Sequence, residues 1–175
     1  EMEGHPDNAA PAILGGFCMA LIENGNVVAE RIDIPSQWKA VVAIPDFELH
    51  TEKARAVLPA SYVRSDVVHN IGAVSFLMAA FMYNKPEYLK FGLDDHVHVP
   101  YRLGLIPGSE EIIRSSVKAG AYGATISGSG PTIIAFSPSD KAHLVGESMV
   151  STFKHHGITS SYIVLDFDQS GISAV

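Results

Sequence analysis

The sequence predicts an α+β domain: an antiparallel sheet of the split β-α-β kind, covered by helices on one face, with extra helices in its first crossover. Three observations carry this expectation. From Trp38 onward, segments follow in the order strand, helices, strand, strand, helix, strand. The run Ala40-Val41-Val42-Ala43-Ile44 is apolar throughout, as a buried strand requires. The two late strands are joined by the glycine loop Ser127-Gly128-Ser129-Gly130-Pro131.

Taken in order, Pro6 suits the first turn of a helix that ends near Gly15-Gly16 and packs through Ala9, Ala12, Ile13 and Leu14. Phe17 to Ile22 and Val27 to Ile34 read as a hairpin, because Asn24-Gly25 supplies the positive φ angles a tight reversal needs. Trp38 to Ile44 is a strand stopped by Pro45-Asp46. A short helix runs from Thr51, its N-cap candidate, to Leu58 before Pro59. Ser65 and Asp66 are placed to cap a long helix, with Val67, Ile71, Val74, Met78 and Phe81 as its core-facing stripe and Asn84-Lys85-Pro86 as its end. Glu87 to Phe91 reads as a short helix, and Asp94 to Pro107 as irregular. Ser109 to Ala119 is helical up to Gly120. Strands follow at Gly123 to Ser127 and Thr132 to Phe136. The last helix carries Ala142, Val145, Met149 and Phe153 on one face, Tyr162 to Leu165 closes the sheet, and residues 166–175 read as a loose tail or a poorly defined terminal strand.

One helix and a hairpin before Trp38 do not enclose a core. Residues 1–37 are therefore expected to be the end of another domain, and 38–175 the second domain. At 175 residues and 47% apolar content, the chain has enough material for a real core. A formal charge of -7 argues against tracking a phosphate backbone, so nucleic acid is not an expected partner. The single cysteine, Cys18, precludes an intrachain disulfide and reads as a small buried hydrophobe. The apolar stretch Ile71 to Met82 is too short to span a bilayer and no signal peptide is evident, so no membrane is expected and the cytoplasm is the default compartment.

Two polar segments invite chemistry. His5, Asp7 and Asn8 lie within one turn at the start of the chain; Asp7 matches an ammonium group and Asn8 offers a donor and an acceptor, although an Asx-type cap has the same spacing. The Gly128-Ser129-Gly130 loop can turn backbone N–H groups toward an anion, or be a ligand-free hairpin. Arg55 and Arg102 are each suited to a carboxylate or phosphate, or to solvent. His96 and His98 alternate along an extended segment and face opposite ways, while His50 and His69 are remote in sequence, so no metal site is expected.

Glu3-Gly4-His5-Pro6-Asp7-Asn8-Ala9-Ala10-Pro11 followed by Gly15-Gly16, then Tyr101-Arg102, then Gly123 through Thr132, together resemble the homoserine kinase family of the GHMP small-molecule kinase superfamily over essentially the whole chain. The resemblance implies an ATP-dependent enzyme that phosphorylates the hydroxyl of L-homoserine, a step toward threonine. It implies a ribosomal-protein S5 domain 2-like domain, of which the first helix and hairpin are the end, followed by a ferredoxin-like C-terminal domain. By position, His5, Asp7, Asn8, Arg55 and Arg102 are implied to bind the amino acid, with Asp7 on the ammonium and the arginines on the carboxylate. His5 and Asp7 are the candidates for assisting removal of the hydroxyl proton, although positioning is expected to outweigh base catalysis. Gly128, Ser129 and Gly130 are implied to flank the transferring phosphate. The family's phosphate loop and magnesium-binding serine and glutamate have no counterpart here, so the chain is expected to be the C-terminal part of a longer protein that needs its missing N-terminal segment for activity. A homodimer is the ordinary expectation. The sequence departs from the family in carrying His96 for arginine and Val99 for glutamine, which bears on the support of Arg102. Mevalonate kinase, another member of the superfamily, and a regulatory amino-acid-binding domain of ferredoxin-like fold are the competing readings.

Overall fold

The computed structural model describes residues 5–173. Glu3 and Gly4, at the head of the first motif, lie outside the described residues. The regular helix α1 spans Ala9–Leu14, so it starts later than Pro6; residues 6–8 form a turn closed by a 2.8 Å bond from Ala10 N–H to Pro6 O. Strands β1 (Phe17–Glu23) and β2 (Asn26–Ile32) form a separate two-stranded antiparallel sheet. Glu23 pairs with Asn26 across a two-residue turn whose φ angles are 52° at Asn24 and 79° at Gly25, the left-handed values that let a hairpin keep its twist.

The main sheet has four antiparallel strands in the order β4 (Gly123–Ile126), β5 (Ile133–Pro138), β3 (Trp38–Pro45), β6 (Ser160–Leu165). This is the split β-α-β order, and the expected α+β class stands. Pro45 does not stop β3 but sits in its last register position, opposite Ser160. Between β3 and β4 run α2 (Thr51–Ala56), α3 (Arg64–Met82), α4 (Leu89–Gly92), α5 (Val99–Arg102) and α6 (Ser109–Lys118); α7 (Ala142–His155) links β5 to β6.

Side chains alternate across a strand, so Val41 and Ala43 share one sheet face with Ile133 and Ala135. There they meet Ile112 of α6 and Ala142, Val145, Met149 and Phe153 of α7 in one buried cluster. The stripe read from α7 is thus its core face. Gly146 lies on the same helix because a Cβ there would come within 2.2 Å of the Tyr162 ring. Ile133→Val, which removes one fully buried methylene, is expected to cost about 1 kcal/mol in chemical denaturation. On the opposite face Trp38 meets Ala80, Phe81 and Leu89 in a second, smaller cluster.

Two expectations are corrected. On α3, Val67, Ile71 and Val74 are 43%, 66% and 52% exposed, so the anticipated stripe faces outward over its first three members, while Met78 is half-buried and Phe81 buried. Apolar residues surround this helix, and the side that packs is set by fit: Ala73, Leu77, Ala80 and Phe81 lie inward, with α4 so close that a Cβ on Gly92 would sit 2.7 Å from the Leu77 backbone. By length and composition α3 is apolar enough to cross a membrane, but Asp66, His69 and Asn70 bond to the segment after α4 and its C-terminal end packs on Trp38.

Residues 166–172 are not a loose tail. Asp168 O accepts from Gly16 N–H at 2.6 Å, Ile172 N–H donates to Ile13 O at 3.1 Å, and the Gln169 amide donates to Ile34 O and accepts from Ile34 N–H. Arg31 also donates to Gln169 O, and Phe167 stacks on Phe136. Gly15 and Gly171 permit this strap: a Cβ on Gly15 would lie 2.6 Å from Gln169 C, and one on Gly171 would lie 2.2 Å from Ile13 O.

Candidate active site

Four separate pieces of chain converge on one open cleft of about 680 Å³. The turn before α1 brings His5, Asp7 and Asn8; α2 brings Thr51 and Arg55; the turn ending in α5 brings Asp95, His98, Val99 and Arg102; the β4–β5 connection brings Ile126, Gly128 and Ser129. Of the residues singled out from sequence, all but Gly130 line this space. Gly130 lies behind the wall: its φ is +82°, a Cβ there would press within 2.8 Å of Ile106, and its N–H donates to Ser127 O at 3.0 Å.

Asp7 and Asn8 are exposed, and Asp7 Oδ1 accepts from the Asn8 N–H at 3.2 Å. Thr51 is not the N-cap of α2. His50 holds that position, and Thr51 Oγ1 lies instead 3.5 Å from Ser129 Oγ, across the cleft floor. The Arg55 side chain makes no hydrogen bond or ion pair among the described residues, so its guanidinium is available to an anion.

Arg102 is held quite differently. It sits at the end of a helical turn rather than in irregular chain, donates from Nε to Ala54 O at 3.2 Å, and from Nη1 to Gly128 O at 3.2 Å. One side chain therefore ties α2 to the glycine loop.

The turn that presents Arg102 is organised by Asp95, which sequence reading passed over. Asp95 Oδ1 accepts from Asn70 Nδ2 at 2.7 Å and from Val97 N–H at 2.8 Å; Oδ2 accepts from His98 N–H at 3.0 Å and Val99 N–H at 2.7 Å. Burial pushes this carboxyl up, but the bonds from Asn70 and from the Val97, Val99 and His98 backbone outweigh it and hold it below the ordinary carboxylate value. An aspartate four residues before Val99-Pro100 was the available signal, since proline opens the helical turn and its preceding N–H groups need an acceptor.

The cleft is thus lined by the Asp7 carboxylate and two guanidinium groups, with polar hydroxyl and amide groups among them. Such a layout suits a small zwitterion. The magnesium expected with ATP is not matched by it: among the described residues lining the cleft, the Asp95 oxygens are taken by four donors, and Asp7 alone does not make a cation cage.

Residues 87–155 match the family described as GHMP kinases C terminal. Homoserine kinases are among the proteins that the whole chain resembles. That of Desulfitobacterium hafniense is 40% identical over 99% of this chain and 59% of its own length, and that of Carboxydothermus hydrogenoformans is 43% identical over 98% and 55%. The crystal structure of homoserine kinase from Cytophaga hutchinsonii superposes with a TM-score of 0.89 at 32% identity, covering 95% of this chain and 53% of that one. Mevalonate kinase from L. major shares the fold at 16% identity and a TM-score of 0.65. The chain spans little more than half the length of the homoserine kinases that it matches.

Proposed function

We propose that this chain supplies the amino-acid-binding half of a homoserine kinase, which moves the γ-phosphoryl group of ATP to the side-chain hydroxyl of L-homoserine in the cytoplasmic route to threonine. The observation that carries this reading is the convergence of Asp7, Arg55 and Arg102 on one cleft. In it the ammonium group of the substrate meets Asp7, the carboxylate meets Arg55 and Arg102, and Asn8 and His5 orient the hydroxyl. Backbone donors toward the transferring phosphate fall to Gly128 and Ser129, because the Gly130 N–H is bonded to Ser127 O. Residues 1–37 are read as the end of an upstream domain and 38–175 as the C-terminal domain, with the ATP and magnesium sites assigned largely to the remainder of the protein. Rate acceleration by this half is positional, since an Asp7 paired with an ammonium group is a weak base.

In the full-length protein, Asp7→Asn is expected to raise KM for L-homoserine about tenfold while KM for ATP stays within twofold, the mark of a lost charge-assisted contact to one substrate. Steady-state kinetics with both substrates varied checks this. A homoserine KM that does not move would remove Asp7 from the assignment, and a substrate panel in which mevalonate outcompetes homoserine would replace the proposed acceptor.

A further inference from the structure

The fold brings together two histidines that are distant in sequence. His69, on α3, and His96, in the turn after α4, stack with ring centroids 3.8 Å apart. Asp94 reaches both: its Oδ2 lies 3.0 Å from His69 Nε2, and its Oδ1 lies 3.8 Å from His96 Nε2. The three ligand atoms fall within 4.8 Å of one another. None of these three residues lines the cleft described above.

We propose that His69, His96 and Asp94 form a binding site for a zinc-class divalent transition metal on the outer side of the turn that carries Asp95 and Arg102. The donor set is two imidazoles and a carboxylate, borderline ligands that suit zinc and leave one position to solvent. A tetrahedral zinc with bonds of about 2.0–2.1 Å holds its ligand atoms about 3.3 Å apart, so no pair needs to close by more than about 1.5 Å as the rings turn out of their stack. The rings have room to turn, being 39% and 38% exposed.

Two features prepare the site. Asp66 Oδ1 lies 3.4 Å from His96 Nδ1, where it accepts the Nδ1 proton and leaves the Nε2 lone pair for a metal. The frame is already tied: Asn70 Oδ1 accepts from His96 N–H at 2.7 Å, and Asn70 Nδ2 donates to Asp95, so α3 and the 94–96 segment hold their relative positions before any ion arrives. In the metal-free form His69 Nε2 donates to Asp94 O at 3.0 Å; on binding, the His69 ring takes its Nδ1–H tautomer by proton exchange with solvent, and Nε2 turns to the ion. Asp66 is a positioning residue here, and the ion would pin α3 to the turn that sets Arg102.

The test uses Co(II) and Zn(II) with the full-length protein. Co(II) is expected to give visible d–d bands that saturate at one ion per chain and are displaced by Zn(II). His69→Ala and His96→Ala should each weaken Zn(II) binding at least tenfold in calorimetry, and Asp66→Asn about tenfold, in line with loss of an outer carboxylate. Since all three side chains are partly exposed, circular dichroism should confirm that each variant folds; His96→Gln serves in place of His96→Ala if that variant does not. Saturable bands that survive His69→Ala and His96→Ala but vanish in His156→Ala, where His156 pairs with Glu111, would overturn the proposal. So would the absence of stoichiometric binding of either ion.

Discussion

Arg102→Ala is expected to lower kcat/KM for L-homoserine about 100-fold in the full-length protein, through loss of roughly 3 kcal/mol of charge-assisted contact. The size of the effect comes from two duties of one side chain. Its guanidinium is proposed to hold the substrate carboxylate, and it also ties Ala54 O to Gly128 O, so its removal unpins the wall that carries Arg55 from the glycine loop. Lysine restores the charge but not the planar fork, so Arg102→Lys should recover only part of the loss. The homoserine KM should rise in both variants, with kcat falling further in Arg102→Ala because the loop near the phosphate loosens. A kcat/KM within threefold of the parent would show that the carboxylate is held elsewhere.

Asp95→Ala is expected to be the most costly change to stability, roughly 2–4 kcal/mol, because four donors lose their acceptor and the turn they form is half-buried. Its pH dependence follows from the lowered carboxyl. A carboxyl whose pKa is depressed in the folded state contributes its full stabilisation above the unfolded value, near 3.8, and loses it as pH falls through the lower folded value. The gap between the parent and Asp95→Ala in urea denaturation should therefore be constant from neutral pH to about pH 5 and shrink below pH 4. A gap that widens on acidification would mean that the carboxyl acts in its protonated form. Because the same turn aims Arg102, this variant should also raise the homoserine KM.

Much of the fold was legible because local pattern and tertiary environment agree. Ala142, Val145, Met149 and Phe153 recur at helical spacing and are buried together. Asn24-Gly25 can make only a tight reversal of the kind found, and the strand order follows from where the apolar runs fall. On α3 the pattern was misleading: Val67, Val68, Ile71 and Val74 face outward, while the polar Asp66, His69 and Asn70 bond to the segment after α4, and close approach of α4 at Gly92 marks the packed face. The cleft was half legible. Residue types pointed to Asp7, Arg55 and Arg102, but Asp95 contacts its neighbours mainly through their backbone N–H groups, which side-chain chemistry does not advertise. The meeting of His69 with His96 was out of reach for a related reason: the two are brought together by Asn70 and by helix packing, and Asn70 and His96 are 26 positions apart in the sequence.

The strap formed by residues 166–172 reverses the order in which the molecule is made. Segments emerging from a ribosome ordinarily settle from the amino end first. Here the hairpin and the turn bearing Asp7 are fastened at Gly16, Ile13 and Ile34 by partners that are synthesised more than a hundred residues later. Asp7, proposed above to meet an ammonium group, can thus reach its final position only after translation has passed Ile172, which makes completion of the cleft a late event in the life of the nascent polypeptide.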